Sequence, residues 1–107
     1  VTNKHMIAVD QDSLGKSAKR IKKESGIDIL ARPLSNGDVA ICFFNKGGSK
    51  KEIEFDLATL KDEKYLGISR TSNAQIKNLW SEEIFHSDTI KTAVASHDVK
   101  VFRISNL

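Results

Sequence analysis

The sequence predicts an all-β fold, an antiparallel two-sheet sandwich of Greek-key type with seven to eight short strands. From Ile27 onward, short apolar or alternating runs are separated by turn residues at close spacing, and no long helical pattern occurs. At 107 residues the chain fits one domain. Packing two sheets face to face is the simplest way to bury the apolar sides of so many short strands.

The first element, Lys16 to Lys23, is compatible with two conformations. As a helix ending near Gly26, it would carry its cations in one basic stripe. As a strand turning at residues 24–26, it would place Lys19 and Lys23 on the same face and would disperse the charge. We expect the strand, because eight helical residues with one large apolar side chain would have little to dock against.

A hairpin follows, with strands Ile27 to Leu34 and Val39 to Phe44. The connection contains Asn36 and Gly37, and Asn-Gly predicts a type I′ turn because both central positions of that turn need a positive φ. Pro33 cannot donate a ladder hydrogen bond, so we expect it at the strand end or on an unpaired side.

The third meander strand is Lys51 to Asp56, where Ile53 and Phe55 alternate with glutamates and predict a half-buried strand. Residues 57 to 64 could form one helical turn that caps the sheet. Further strands are expected near residues 75–79, 89–94 and 99–104, and His97 is expected to turn the chain into the last strand.

Composition and charge argue against several classes of function. The formal charge of +3 is modest for a protein that must neutralise many phosphates, so no nucleic-acid partner is expected. No apolar stretch approaches the ~20 residues of a membrane-spanning helix. Cys42 lies in an apolar run and is expected to be a buried, inert thiol. The three histidines are scattered singly, so no metal or cofactor site is expected.

Four blocks in order resemble the C-terminal β-domain of the melibiase-type α-galactosidases, which are retaining glycoside hydrolases. Asn3 to Gly15 resembles the segment by which those enzymes leave their catalytic barrel. Ala31 to Asn45 is similar to the family's first strong hairpin, Ile76 to Trp80 to its Val-Arg-Asp-Leu-Trp block, and His97 to Ile104 to its closing strand.

The resemblance implies that residues 1–15 are a barrel-exit and linker segment and that residues 16–107 are the C-terminal β-sandwich domain. Such a domain would be non-catalytic and would brace the (β/α)₈ barrel of a parent enzyme that hydrolyses terminal α-galactosides with retention. A barrel needs about 250 residues, so this chain cannot contain one. Asp10 and Asp12 match barrel exit and linker, not catalytic machinery. The resemblance favours a secreted or periplasmic location, and the sequence itself leaves the compartment open.

The barrel would be the main partner of the domain. The expected interface residues are the apolar side chains of the leading segment, for which the sandwich offers no obvious partner: Met6, Ile7, Val9 and Leu14.

The alternative function is a carbohydrate-binding module that holds galactosides on the sandwich surface. Trp80 is its candidate sugar contact, because an exposed aromatic face can stack on a pyranose ring. The phenylalanines in strand patterns are expected in the core: Phe43, Phe44, Phe55 and Phe102. A third possibility, polyanion binding through Lys16 to Lys23, lacks the interleaved aromatic side chains that would stack on bases.

Overall fold

The computed structural model describes residues 17–71 and 73–107 and shows two antiparallel sheets. The strands are β1 (Lys19–Glu24), β2 (Ile27–Pro33), β3 (Val39–Asn45), β4 (Lys51–Asp56), β5 (Gln75–Asn78), β6 (Ile84–His86), β7 (Thr89–Val94) and β8 (Val99–Ser105). The large sheet has the order β1-β2-β3-β8-β5-β6, and the small sheet pairs β4 with β7. The chain changes sheet after β3, β4, β6 and β7, so the predicted sandwich is confirmed.

The core fills the space between the two sheets. Burial in β2 alternates along the strand, with Ile27, Ile29 and Ala31 almost fully buried, as expected for a strand with one face on the core. The Phe43 ring lies 5.9 Å from Phe55 of the small sheet in an edge-to-face arrangement, which aromatic pairs prefer. The apolar alternation of the sequence therefore places the core correctly.

Asn45 is a fully buried polar residue that ties the end of β3 to the small sheet. Its Nδ2 donates to the carbonyl oxygens of Ser49 and Val94, each at 2.9 Å, and its Oδ1 accepts from the Gly47 amide at 2.9 Å. The side chain thus satisfies three backbone groups and fixes both the turn after β3 and the position of β7.

The predicted helical turn is present as a 3-10 helix, Leu57–Asp62. The Asp56 carboxylate caps it by accepting from the Ala58 amide at 2.9 Å, and Leu57 and Leu60 enter the core. Among the described residues, no helix has both the length and the apolar character that crossing a bilayer requires.

The type I′ turn lies in the first hairpin and not in the second, where the sequence predicts it. Ser25 and Gly26 both have positive φ, 51° and 82°, between the paired ends of β1 and β2, so the type I′ turn lies here. In the second hairpin φ is positive at Gly37 and not at Asn36, and the Gly37 amide bonds to the Leu34 carbonyl at 3.2 Å. The type I′ prediction for Asn-Gly was wrong, because a three-residue loop uses a type I turn followed by a left-handed glycine.

The strand prediction for the basic run is confirmed over β1, but its simple alternation is wrong. A bulge between Arg20 and Lys22 shifts the register, so Lys19 lies opposite Ala31 whereas Lys23 lies opposite Asp28. Ala31 points into the core and Asp28 does not, so the two lysines point to opposite faces.

Other strand expectations hold with small changes. Pro33 ends β2, as expected. His97 has φ 57° and turns the chain before β8. The sequence did not reveal β6, which has only three residues. Phe44 was expected in the core, but it is 38% exposed because it points away from the small sheet, on the side of β3 opposite Phe43.

Candidate functional site

The side of the large sheet that points away from the small sheet has an unusual composition for a surface. We call it the outer face. It is formed by alternate strand residues that the register places side by side: Arg20 and Lys23 of β1, Asp28, Leu30 and Arg32 of β2, Ala40, Cys42 and Phe44 of β3, Val99, Val101, Arg103 and Ser105 of β8, Gln75 and Lys77 of β5, and Ile84 and His86 of β6. Cross-strand partners in a sheet point to the same side, so these side chains share one surface.

The centre of the outer face is a second, smaller apolar cluster. Leu34, Ala40, Leu79 and Val101 are each at most 6% exposed, and Cys42 and Val99 pack against them. The large sheet is thus apolar on both sides along β3 and β8. A strand with apolar residues on both faces is typical of a sheet that is covered on both faces.

The large apolar side chains that are most exposed also lie on or beside this face. Phe44 and Ile84 belong to the outer face and are 38% and 51% exposed, and Trp80, which follows Leu79, is 51% exposed. Among the described residues these are the exposed large hydrophobic side chains. Scattered exposed apolar residues need no explanation, but exposed apolar residues that share a face with a buried apolar cluster mark a candidate interaction surface.

The outward side of the small sheet is different, because it is polar and charged. Glu52, Glu54 and Asp56 point outward from β4, and Lys91 lies opposite Glu54 at 3.9 Å. Exposed ion pairs of this kind contribute little to stability and suit a face that stays in water. The two outer sides of the sandwich therefore have different physical roles.

Trp80 is presented by a turn with a well-defined backbone. The Asn78 Oδ1 accepts from the Trp80 and Ser81 amides at 2.9 and 3.1 Å, and the Glu82 amide donates to the Asn78 carbonyl at 2.9 Å. The Leu79 amide donates to the Val101 carbonyl of β8 at 3.0 Å. These bonds fix the backbone of the turn that carries Trp80, so little backbone entropy would be lost when it contacts a partner.

Cations predominate among the charged strand residues of the outer face. Arg32, Arg103 and Lys77 lie in one cross-strand row, since Ala40 of β3 pairs with both arginines and Lys77 pairs with Arg103. Of the described strand residues on this face, Asp28 is the one acid. The turn between β5 and β6, which carries Trp80, contains two further acids, Glu82 and Glu83.

Asp28 and Asp38 already have basic partners. The Lys46 ammonium lies 2.8 Å from Asp28, and its hydrogen bond lowers the pKa of that carboxyl below its usual value. The Arg103 Nε donates to Asp38 at 2.8 Å, and the Ser105 hydroxyl donates to the same oxygen at 3.2 Å. Asp38 thereby anchors Arg103 in the middle of the row.

Cys42, which was expected to be a buried thiol, packs against the apolar cluster of the outer face and not against the core between the sheets. It is half-buried, and desolvation raises the pKa of the thiol to about 11. At neutral pH the group is a neutral thiol with weak nucleophilicity, as the sequence predicted.

Other polar surfaces of the described residues offer no comparable site. A shallow depression on the small sheet is lined by Glu52, Glu54 and Lys91, and another by Asp56, Lys61, Arg70 and Asp88. No group of three acidic, histidine or cysteine side chains within residues 17–71 and 73–107 is arranged to hold a metal ion.

The basic run that suggested polyanion binding is dispersed where the structure describes it. Lys19 lies over the Tyr65 ring at 4.0 Å, and Lys22 lies 3.8 Å from Glu24. Arg20 lies 3.9 Å from Asp28.

Several residues singled out in the sequence lie outside the part of the chain that the structure describes. They are the expected interface residues Met6, Ile7, Val9 and Leu14, the acidic pair Asp10 and Asp12, and Lys16 of the basic run.

The outer face is the part of this site that sequence reasoning missed. Residues Val39 to Phe44 contain no charged or amide side chain, and such a run signals a strand that is covered on both sides. Trp80 was singled out in the sequence, but its position next to Leu79 of the apolar cluster depends on strand pairings that the sequence does not reveal.

Comparison with known proteins gives one consistent result. Residues 24–104 match the family model described as the alpha galactosidase C-terminal beta sandwich domain. The alpha-galactosidase A of Aspergillus niger is 34% identical over 107 residues, which cover 98% of this chain and 18% of that protein. The chain thus spans about a fifth of the length of the curated relatives that head the comparison.

Solved structures show the same fold at lower identity. Alpha-galactosidase I from Mortierella vinacea superimposes with a TM-score of 0.82 at 22% identity, over 95% of this chain and 26% of that one. A β-L-arabinopyranosidase from Geobacillus stearothermophilus superimposes with a TM-score of 0.79 at 16% identity, over 99% of this chain and 23% of that one. With more than half of its residues matched by the family model, this chain belongs to the C-terminal β-sandwich domain family of the α-galactosidases.

Proposed function

We propose that this chain is a non-catalytic accessory domain of an α-galactosidase and that it braces the (β/α)₈ catalytic domain through the outer face. The parent enzyme would hydrolyse terminal α-galactosides with retention of configuration. In this proposal residues 16–107 form the accessory domain and residues 1–15 connect it to the barrel. The chain alone should not hydrolyse a nitrophenyl α-galactoside.

The observation that carries this proposal is the two-sided apolar character of the large sheet. Its inner side packs on the small sheet, and its outer side exposes Phe44, Trp80 and Ile84 around a buried apolar cluster. A soluble domain rarely leaves such a patch in water. The curated relatives are about five times longer than this chain and align with nearly all of it, which supports a further domain of the same protein as the occupant.

Burial of these side chains would supply substantial interaction energy. Fully burying a large apolar side chain is worth about 1.5–3 kcal/mol, and Trp80 and Ile84 are each about half solvated before docking. Tryptophan is also among the residues that dominate interface energetics. The contact would bury Cys42 further and leave the charged side of the small sheet in water.

A pair of double variants tests the proposal in the parent enzyme. Trp80→Ser with Ile84→Ser should shorten the half-life of α-galactosidase activity at elevated temperature by roughly tenfold or more, because the docking contact is lost. Glu52→Ser with Glu54→Ser, on the opposite side, is the matched control and should change the half-life little. In the 107-residue chain alone, Trp80→Ser with Ile84→Ser should destabilise the fold less than it destabilises the parent, because these side chains are already half exposed there. Equal half-lives for both variant pairs in the parent would refute docking through the outer face.

The apolar side chains of the leading segment are proposed to extend the same interdomain contact: Met6, Ile7, Val9 and Leu14. Hydrogen exchange on the isolated chain should then show weak amide protection before Leu14, because the partner surface is missing. Strong protection of these amides in a monomer would contradict this part of the proposal.

One observation favours a second candidate, a galactoside-binding module. Trp80 is half exposed on an ordered turn, which is the arrangement that a sugar-stacking aromatic needs. Titration calorimetry of the isolated chain with galactose and melibiose separates the two candidates. Saturable binding that Trp80→Ala abolishes would favour the module, and the absence of heat at high sugar concentration would favour bracing.

A further inference from the structure

The row of cations on the outer face defines the chemistry of the surface that this face meets. Arg32, Arg103 and Lys77 follow one another across β2, β3, β8 and β5, with Ala40 between the arginines. All three side chains are half-buried, so they lie along the sheet beside the apolar cluster. A partner that covers the cluster therefore also covers the row.

The row includes a cross-strand pair of like charges. Lys77 lies directly opposite Arg103, and like charges in this position destabilise a sheet. Asp38 offsets part of this repulsion through its bond to Arg103. A negatively charged surface above the row would offset more of it.

The opposite side of the sandwich strengthens this argument, because it has the opposite sign. The outward residues of β4 are Glu52, Glu54 and Asp56, and the cation across from them is Lys91. The formal charge of the whole chain is only +3, so this separation of charge does not show in its composition. A domain with one basic side and one acidic side is oriented by the field of a charged partner as the two approach.

We propose that the surface of the catalytic domain that docks on the outer face is acidic around an apolar centre, and that Arg32, Arg103 and Lys77 pair with its carboxylates. This inference rests on the proposed function and adds the chemistry of the partner surface to it. The apolar centre provides most of the affinity, and the cations fix the orientation.

Two charge reversals with the same change in net charge provide the test. Lys77→Glu changes a residue of the row. Lys91→Glu changes a largely exposed lysine on the outward side of the small sheet. In the parent enzyme, Lys77→Glu should shorten the half-life of activity at elevated temperature by roughly tenfold. Lys91→Glu replaces an exposed ion pair with an exposed like-charge pair opposite Glu54, so it should shorten the half-life by less, about threefold at most. The Lys77 effect should shrink in about 0.5 M sodium chloride, where the screening length falls to roughly 4 Å.

The isolated chain gives a smaller expected effect, which separates docking from folding. In the 107 residues alone, Lys77→Glu places an opposite charge beside Arg103, so it should lower the unfolding temperature less than it does in the parent enzyme. If Lys77→Glu lowers the unfolding temperature of the isolated chain by as much as that of the parent enzyme, then Lys77 acts within the domain. That result would overturn the inference.

The remaining outcomes are also decisive. If both charge reversals act equally in the parent while Trp80→Ser with Ile84→Ser still destabilises it, docking stands and the acidic partner surface is refuted. If neither the apolar nor the charge variants affect the parent, the proposed function fails as well. A third outcome is that heparin retains the chain in a salt-sensitive way, that Lys77→Glu abolishes this retention, and that the half-life of the parent enzyme does not change. That outcome would assign the cations to a polyanion and overturn the inference.

Discussion

Asn45 shows how much one buried side chain can determine at the residue scale. It accepts from the Gly47 amide and donates to two carbonyl oxygens, one of them on β7 of the other sheet. Asn45→Ala would leave these buried groups without partners, so the free energy of unfolding should fall by roughly 2–4 kcal/mol in chemical denaturation. Asn45→Asp should also destabilise, because a carboxylate cannot donate to the carbonyl oxygens. A loss below about 1 kcal/mol for Asn45→Ala would show that water replaces the side chain.

The thiol of Cys42 gives a pH dependence whose sign follows from its burial. Desolvation raises the pKa of the folded thiol from 9.0 to about 11, so the folded state holds its proton longer than the unfolded state does. Below about pH 9 both states are protonated and stability is unaffected; between about pH 9 and 11 the unfolded state ionises first and stability falls. Denaturation at about pH 8 and 10.5 should show a larger loss for the wild type than for Cys42→Ala. Equal losses would contradict the raised pKa.

At the scale of the elements, the two hairpin turns determine the register of the large sheet. Gly26 has φ 82° and open space around its Cβ position, so Gly26→Ala is penalised by backbone conformation alone, by roughly 1 kcal/mol. Gly48 also has open space, but its φ is not in the left-handed region. Gly48→Ala should therefore change the free energy of unfolding by less than about 0.5 kcal/mol or raise it slightly. Thermal or chemical unfolding of the two variants checks this, and equal costs would contradict the turn assignment.

The elements differ in how well the sequence predicts them, for physical reasons. Strands β2, β3, β4, β7 and β8 carry long apolar or alternating runs, and these runs determined the sandwich. Local sequence did not determine the bulge beside Ile21 or the three-residue strand β6, because both depend on neighbouring strands. The outer face was missed for the same reason: Phe44 looks like a core residue until the pairing shows which side of the sheet it occupies.

At the scale of the whole molecule, the charge of the outer face should control self-association of the isolated chain. Two copies that met through their apolar outer faces would bring two rows of cations together, and this repulsion opposes association at low salt. Light scattering or sedimentation should therefore show monomers at low ionic strength and weak association as salt rises. Ile84→Ser should remain monomeric throughout. Association that decreases with salt would contradict this expectation.

The position of β8 has a consequence for how the domain forms during synthesis. The large sheet consists of a three-stranded meander, β1 to β3, and a separate hairpin, β5 with β6, and these two parts are joined through β8. Because β8 follows all the other strands in the chain, neither part can complete its pairing until residues 99–105 have left the ribosome. Until then β3 and β5 each have an unpaired edge, and this is the stage at which a nascent chain is most exposed to aggregation and most in need of a chaperone.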